Sequence, residues 1–173
     1  YCEGGVEYGW GHLSRVRSVG EALRSTHGAD VRFALLGDQS ARDTLSEHEF
    51  RVHLNPRDVT EDEWLDELVS ELQPDAVVLD IRQSELSTLD KWREQDVLVA
   101  SIDDITERRL TTDLVFYPPV PQIEEMDWTG YDGTVCADWK WTVVDDEFEP
   151  PAESRKRNVP TVLVTMGGSD PDN

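Results

Sequence analysis

The clearest indication of the fold is the segment Asp75-Ala-Val-Val-Leu-Asp80, which has four apolar residues with a carboxylate at each end. A strand that is apolar on both faces is typical of a parallel sheet covered by helices on both sides. Similar apolar runs occupy residues 31–36, 97–100 and 113–116, and Phe50–Leu54 alternates like a half-buried strand. The sequence therefore predicts a mostly parallel sheet.

Segments with the apolar spacing of a helix separate these runs. They lie at 13–23, 41–49, 60–73 and 84–94. Thr60 and Glu63 form a capping-box pattern at the start of the third segment, and Pro74 follows its end. Strands and helices that alternate at this spacing form right-handed βαβ units. We therefore predict an α/β fold, a Rossmann-like, mostly parallel sheet with helices on both faces.

Three aspartates follow predicted strands: Asp80, Asp103 and Asp104. Ligands of open α/β sheets bind beyond the carboxyl ends of the strands, which places these residues at the functional edge. Asp80 is either a polar contact in the cleft or a turn residue at the end of its strand. Asp103 and Asp104 either bind the substrate or cap the turn that follows. Neighbouring strand residues point to opposite sides, so their adjacency does not make a catalytic pair.

A glycine-rich segment, Gly4-Gly-Val-Glu-Tyr-Gly-Trp-Gly-His12, leads directly into the first helix. Glycines permit positive φ angles and let the backbone approach a ligand closely, and a helix N-terminus suits an anionic group. The segment lacks the third glycine of the dinucleotide-binding fingerprint. His12 falls in the first turn, where the helix dipole disfavours a charged ring, so we expect a neutral imidazole that can accept a proton. The alternative is a glycine-rich turn with a surface histidine.

The two ends of the chain differ from its middle. Tyr1-Cys2 directly precedes the glycine-rich segment, so we expect the central first strand to be missing or reduced to its last residues, with further residues upstream. We expect an N-terminal domain over residues 1–148 and a polar, Pro-containing linker over 149–158. Residues 159–173 are predicted to be the first strand and Gly-rich loop of a second, nucleotide-binding domain.

The charge balance makes several kinds of partner unfavourable. Thirty-seven acidic residues against sixteen basic ones give a formal net charge of −21. Such a field repels nucleic acids and anionic membranes, and no run approaches the roughly 20 apolar residues of a membrane span. Two cysteines without a Cys/His cluster give no zinc pattern, and no cofactor motif is seen. We expect a cytoplasmic protein whose acidic residues solvate its surface.

Gly9-Trp-Gly-His-Leu-Ser-Arg15 resembles the G-x-G-H-x-x-R motif of a known family. That family comprises the UDP-sugar hydrolases of pseudaminic acid biosynthesis and the SpsG-like spore-coat polysaccharide proteins, which are GT-B enzymes related to MurG. Further stretches resemble the family's segments in the same order, at 76–80, 101–105, 109–115, 135–148 and 162–171. Phe116–Pro121 departs from the family, which commonly carries N-x-N there.

The resemblance implies the N-terminal domain of a GT-B enzyme whose substrate is a nucleotide sugar, a UDP-linked amino sugar. His12 would be the base that activates a water for attack on the anomeric carbon. Gly9, Gly11, Arg15 and the three aspartates Asp80, Asp103 and Asp104 would bind the sugar substrate, although Arg15 could instead merely pair with neighbouring acids. Gly167, Gly168 and Ser169 would bind the nucleotide within a C-terminal domain of the same gene product.

No metal motif is visible in the sequence, and backbone amides with a helix dipole can stabilise a diphosphate, so we expect no metal and no cofactor. Two other functions stay open at this point: a glycosyltransferase that uses the same cleft with an acceptor hydroxyl in place of water, and a non-catalytic carbohydrate-binding remnant.

Overall fold

A computed structural model describes residues 1–82 and 86–145 of the chain. It confirms the α/β class, with two parallel sheets and flanking helices in an arrangement consistent with a Rossmann-like fold. The predicted linker at 149–158 and the segment 159–173 lie outside the described residues.

Seven strands form two parallel sheets within the described residues. The first sheet has the order β1 (Cys2–Gly4), β2 (Arg32–Gly37) and β3 (Arg51–Leu54). The second has the order β4 (Ala76–Leu79), β5 (Leu98–Ile102), β6 (Leu114–Tyr117) and β7 (Thr134–Ala137). The α-helices are α1 (Gly11–His27), α2 (Gln39–Glu47), α3 (Glu61–Leu72), α4 (Leu89–Arg93) and α5 (Gln122–Glu125). Within the described part of the chain, none of them has both the length and the apolar character that crossing a membrane requires.

The short strand β1 joins the two sheets. Cys2 pairs with Leu35 of β2 on one side and forms a parallel bridge to Asp80, directly after β4, on the other. The Asp80 amide donates to the Tyr1 carbonyl at 3.0 Å. The sequence predicted a central first strand that is missing or reduced, and the structure has a three-residue strand at that place. The glycine-rich segment therefore starts at the centre of the fold.

Two apolar clusters fix the helices to the sheets. The cluster of α1 and α2 on the first sheet includes Leu13, Val16, Phe33, Leu35, Leu45 and Phe50. The cluster of α3 and α4 on the second sheet includes Trp64, Leu65, Leu79, Trp92 and Val99. Each such side chain stabilises the fold by about 1.5–3 kcal/mol when fully buried, so the clusters hold the carboxyl edge as a rigid platform.

The capping-box prediction is confirmed at α3. Thr60 Oγ1 accepts from the Glu63 amide at 3.3 Å, and the Glu63 carboxylate accepts from the Thr60 amide, also at 3.3 Å. The helix ends at Leu72 and Gln73 takes a left-handed conformation, just before Pro74. Local sequence chemistry therefore sets both ends of this helix.

Two helix predictions were wrong in extent. The helix predicted over 13–23 is longer in the structure, where α1 spans Gly11–His27. The helix predicted over 84–94 is described only as α4, Leu89–Arg93.

Candidate active site

A cleft of about 440 Å³ opens at the carboxyl edge of the sheets. Its walls come from the start of α1, from the residues after β4 and from the residues after β5. The lining residues are Gly11, His12, Arg15, Ile81, Arg82, Asp103, Asp104, Ile105 and Thr106. This is the place where open α/β sheets bind their ligands.

His12, the second residue of α1, is held by Asp80. Its Nδ1 lies 2.6 Å from Asp80 Oδ1, and the Asp80 side chain is fully buried while that of His12 is 22% exposed. An ionised carboxylate only accepts hydrogen bonds, so Nδ1 carries the hydrogen and Nε2 keeps its lone pair in the neutral ring. Within residues 1–82 and 86–145, Nε2 has no hydrogen-bond partner. The ring therefore offers one acceptor nitrogen at the cleft.

Arg15 donates two hydrogen bonds to the same carboxylate. Its Nε donates to Asp80 Oδ2 and its Nη2 to Oδ1, both at 2.6 Å. Residues three apart share one face of a helix, which is why α1 aims both His12 and Arg15 at Asp80. Burial acts to lower the pKa of Arg15, but the hydrogen bonds and charges of Asp80 and Asp103 outweigh it and raise that pKa. The guanidinium thus stays charged and compensates the buried carboxylate.

The two aspartates after β5 have different surroundings. Asp103 is exposed, and its Oδ2 lies 3.3 Å from Arg15 Nη1. Asp104 is buried, and its carboxylate accepts from the amide and hydroxyl of Thr106 at 2.9 and 2.7 Å and from Arg108 Nε at 2.8 Å. Asp104 therefore stabilises the turn, while Asp103 faces Arg15.

The glycine-rich loop is a closed turn between β1 and α1. Gly5 and Gly9 exchange two backbone hydrogen bonds, of 3.0 and 2.8 Å, and have φ angles of 118° and 81°. Gly9 shapes this turn and does not line the cleft. Gly11 does line it, and a Cβ built there meets no atom within 4 Å, so its open side faces space that a ligand can use.

Asp38, which the sequence analysis missed, anchors the loop. Its Oδ2 accepts from the Val6 amide at 2.8 Å, and its Oδ1 accepts from the Ala41 amide at 3.0 Å as the N-cap of α2. The available signal was an aspartate between a strand and a helix, which is a common N-cap position. Its second bond, to the loop, has no local sequence signature because Val6 is 32 residues away.

We expect Asp38→Asn to make the free energy of unfolding less dependent on pH between pH 4 and pH 2. Hydrogen bonds from Ser40, Val6 and Ala41 lower the pKa of Asp38 to about 2. A pKa lowered by folding stabilises the protein above the unfolded pKa of about 4, and this contribution is lost as the pH falls through about 2. The wild type should exceed the variant by about 1 kcal/mol in unfolding free energy at pH 7, because solvent screening reduces the full effect of the pKa shift at this position.

Urea unfolding at pH 7, 4 and 2 measures this difference, with the exposed Asp58→Asn as the control. The advantage of the wild type should shrink between pH 4 and pH 2. An advantage that is equal at all three pH values would contradict the assignment.

Other reactive groups contribute little at this site. Burial raises the pKa of the Cys2 thiol to about 12, so it is not a nucleophile at neutral pH. Within the part of the chain that the structure describes, no three His, Cys, Asp or Glu side chains are placed to hold a metal ion together.

The structure brings most of the predicted site residues together. His12, Arg15, Asp80 and Asp103 form one hydrogen-bonded cluster, and Gly11 and Asp104 line the same cleft. Gly167, Gly168 and Ser169 lie outside the described residues. Set against protein-family models, curated proteins and solved structures, the chain matches none of them.

Proposed function

We propose that the cleft binds a nucleotide-activated sugar, a UDP-linked amino sugar, and that the protein hydrolyses it. The observation that carries the proposal is the 2.6 Å contact between His12 Nδ1 and the buried Asp80 carboxylate at the carboxyl edge of the sheets. This contact fixes both the tautomer and the orientation of a general base. The substrate class rests on the family resemblance of Gly9–Arg15 and of the collinear segments after it.

In the proposed reaction His12 Nε2 takes a proton from a water molecule as the water oxygen attacks the anomeric carbon. The bond from that carbon to the diphosphate oxygen breaks, and its electron pair leaves with UDP. The free sugar is the second product. The imidazolium that forms is stabilised by Asp80 through the Nδ1–H bond, and it returns its proton to solvent.

The positioning of the base relies on Arg15. Without Arg15, the charge of the fully buried Asp80 carboxylate would have no compensating cation beside it. The two bonds of 2.6 Å from Arg15 compensate that charge and hold both carboxylate oxygens in place. The nucleotide is proposed to bind at Gly167, Gly168 and Ser169 in a C-terminal domain.

A glycosyltransferase is the second candidate, because a second cavity adjoins the cleft. This cavity of about 330 Å³ shares Gly11 and Arg15 with the cleft, and it is further lined by Ser14, Ser18 and residues 143–145. It lies beside the first turns of α1 and offers serine hydroxyls and apolar side chains to an acceptor. An acceptor hydroxyl bound there would take the place of the attacking water.

One experiment separates these functions. The complete gene product is incubated with a panel of UDP-hexosamines, with and without saccharide acceptors, and UDP and free sugar are quantified. Hydrolysis predicts UDP and free sugar in equal amounts without an acceptor. UDP release that requires an acceptor would establish the transferase instead. The absence of UDP release under either condition, with binding retained, would leave only a carbohydrate-binding role.

A further inference from the structure

Asp103 has an unusual backbone conformation for a residue with a side chain. Its φ is 57°, in the left-handed region, and its amide donates to the Phe116 carbonyl at 2.9 Å. This conformation costs about 1 kcal/mol for most residues but is free of steric cost for glycine. The bond to Phe116 fixes the conformation between the end of β5 and β6. The backbone therefore holds Asp103 in one strained conformation, which fixes the direction of its side chain.

The Asp103 side chain lies in the cleft, and its carboxylate can still accept hydrogen bonds there. The side chain is 41% exposed and lines the same cleft as His12. Its Oδ2 makes a single long contact of 3.3 Å to Arg15, and its Oδ1 has no hydrogen-bond partner within residues 1–82 and 86–145. The next residue, Asp104, has both carboxylate oxygens engaged by Thr106 and Arg108. Of these two cleft carboxylates, Asp103 is the one available to a ligand.

We propose that Asp103 is a specificity-determining residue that accepts a hydrogen bond from a hydroxyl or amide N–H on the sugar ring of the substrate. This inference rests on the proposed function and adds the orientation of the ligand. An ionised carboxylate accepts from neutral donors and repels a diphosphate, so the sugar lies at Asp103 and the diphosphate lies away from it. The sugar is thereby held in the cleft that His12 also lines.

The geometry also explains why Arg15 contacts Asp103. The Nε and Nη2 atoms of Arg15 are committed to Asp80, and Nη1 is left to restrain Asp103 Oδ2. Asp103 Oδ1 can then bind the ligand while Oδ2 keeps its contact with Arg15. A hydrogen bond between a charged acceptor and a neutral donor corresponds to about a 10- to 100-fold effect on kcat/KM.

The test compares Asp103→Gly with a matched control, Asp96→Gly. Asp96 has a φ of 61° and is exposed in the turn after α4, away from the cleft. Glycine relieves the same backbone strain at both positions, so both variants should fold and neither should lose stability. Only Asp103→Gly should lower kcat/KM, by about 10- to 100-fold, for the UDP-hexosamine that turns over fastest.

Single-deoxy analogues of that UDP-hexosamine identify the recognised donor. For the analogue that lacks the recognised donor, the wild type and Asp103→Gly should have the same kcat/KM. For the other analogues, the kcat/KM of the wild type should remain higher than that of Asp103→Gly. The affinity for UDP alone should be equal in both proteins, because the nucleotide does not contact Asp103.

The outcomes separate this inference from the function on which it rests. Turnover by the wild type with an unchanged kcat/KM in Asp103→Gly would overturn the inference and leave the hydrolase intact. An equal loss in Asp96→Gly would also overturn it, because the effect would then come from the backbone. No turnover by the wild type on any UDP-hexosamine would overturn both.

Discussion

His12→Ala is expected to lower the rate of UDP release by about 10²- to 10⁴-fold, the usual contribution of a positioned general base. The variant removes the ring whose Nε2 would accept the proton of the attacking water. It leaves Asp80 in place with both of its bonds to Arg15, so the cleft keeps its shape and its charge compensation. Affinity for the nucleotide sugar should therefore change little. Turnover by UDP release and binding by calorimetry measure the two effects separately.

The matched control for this prediction is His48→Ala. His48 lies at the end of α2, where its Nδ1 is 2.8 Å from Glu21, and it does not line the cleft. Its removal should leave turnover unchanged. If His12→Ala released UDP as fast as the wild type, His12 would not be the base, and the proposed mechanism would be wrong.

Arg15→Met is expected to cause the largest loss of stability, about 3 kcal/mol in the free energy of unfolding. Removal of one partner from a buried ion pair costs about 3–5 kcal/mol, because the remaining charge stays buried without compensation. The lower end applies here because the Arg15 side chain is 24% exposed, whereas that of Asp80 is fully buried. Denaturant unfolding at pH 7 measures the loss.

A second substitution tests the cause of that loss. In Arg15→Met with Asp80→Asn, no buried charge remains, so the double variant should recover part of the stability that Arg15→Met lost. Arg32→Met is the control, since Arg32 pairs at 2.8 Å with Asp30, whose side chain is 67% exposed. Exposed pairs contribute about 0–1 kcal/mol. Equal losses in Arg15→Met and Arg32→Met would refute the buried-pair explanation.

The general rules of α/β folds predicted which residues lie at the carboxyl edge of the sheet but not the contacts between them. The apolar run Ala76–Leu79 predicted a buried strand, and its terminal position placed Asp80 near the ligand edge. The direct contact between His12 and Asp80 spans 68 residues along the chain. It depends on β1 lying beside β4, and the register of strands that are far apart in sequence has no local signal.

Roles within the cluster were harder to predict than positions. Asp80 was predicted to be either a polar contact in the cleft or a turn residue, and its buried carboxylate is bonded to His12 and Arg15. Under the proposed function it positions the base. For Asp104 the alternative of a turn cap fits the bonds from Thr106. Burial and hydrogen bonding decide such roles, and both arise from tertiary packing.

The position of β1 between the two sheets has a consequence for the contact between His12 and Asp80. His12 follows β1 along the chain through the closed glycine turn, and the Asp80 amide donates to the carbonyl of Tyr1, directly before β1, at 3.0 Å. Both residues are therefore positioned next to the same short strand. We expect displacement of the outer strands β3 or β7 to change the distance between the two side chains less than displacement of β1 would.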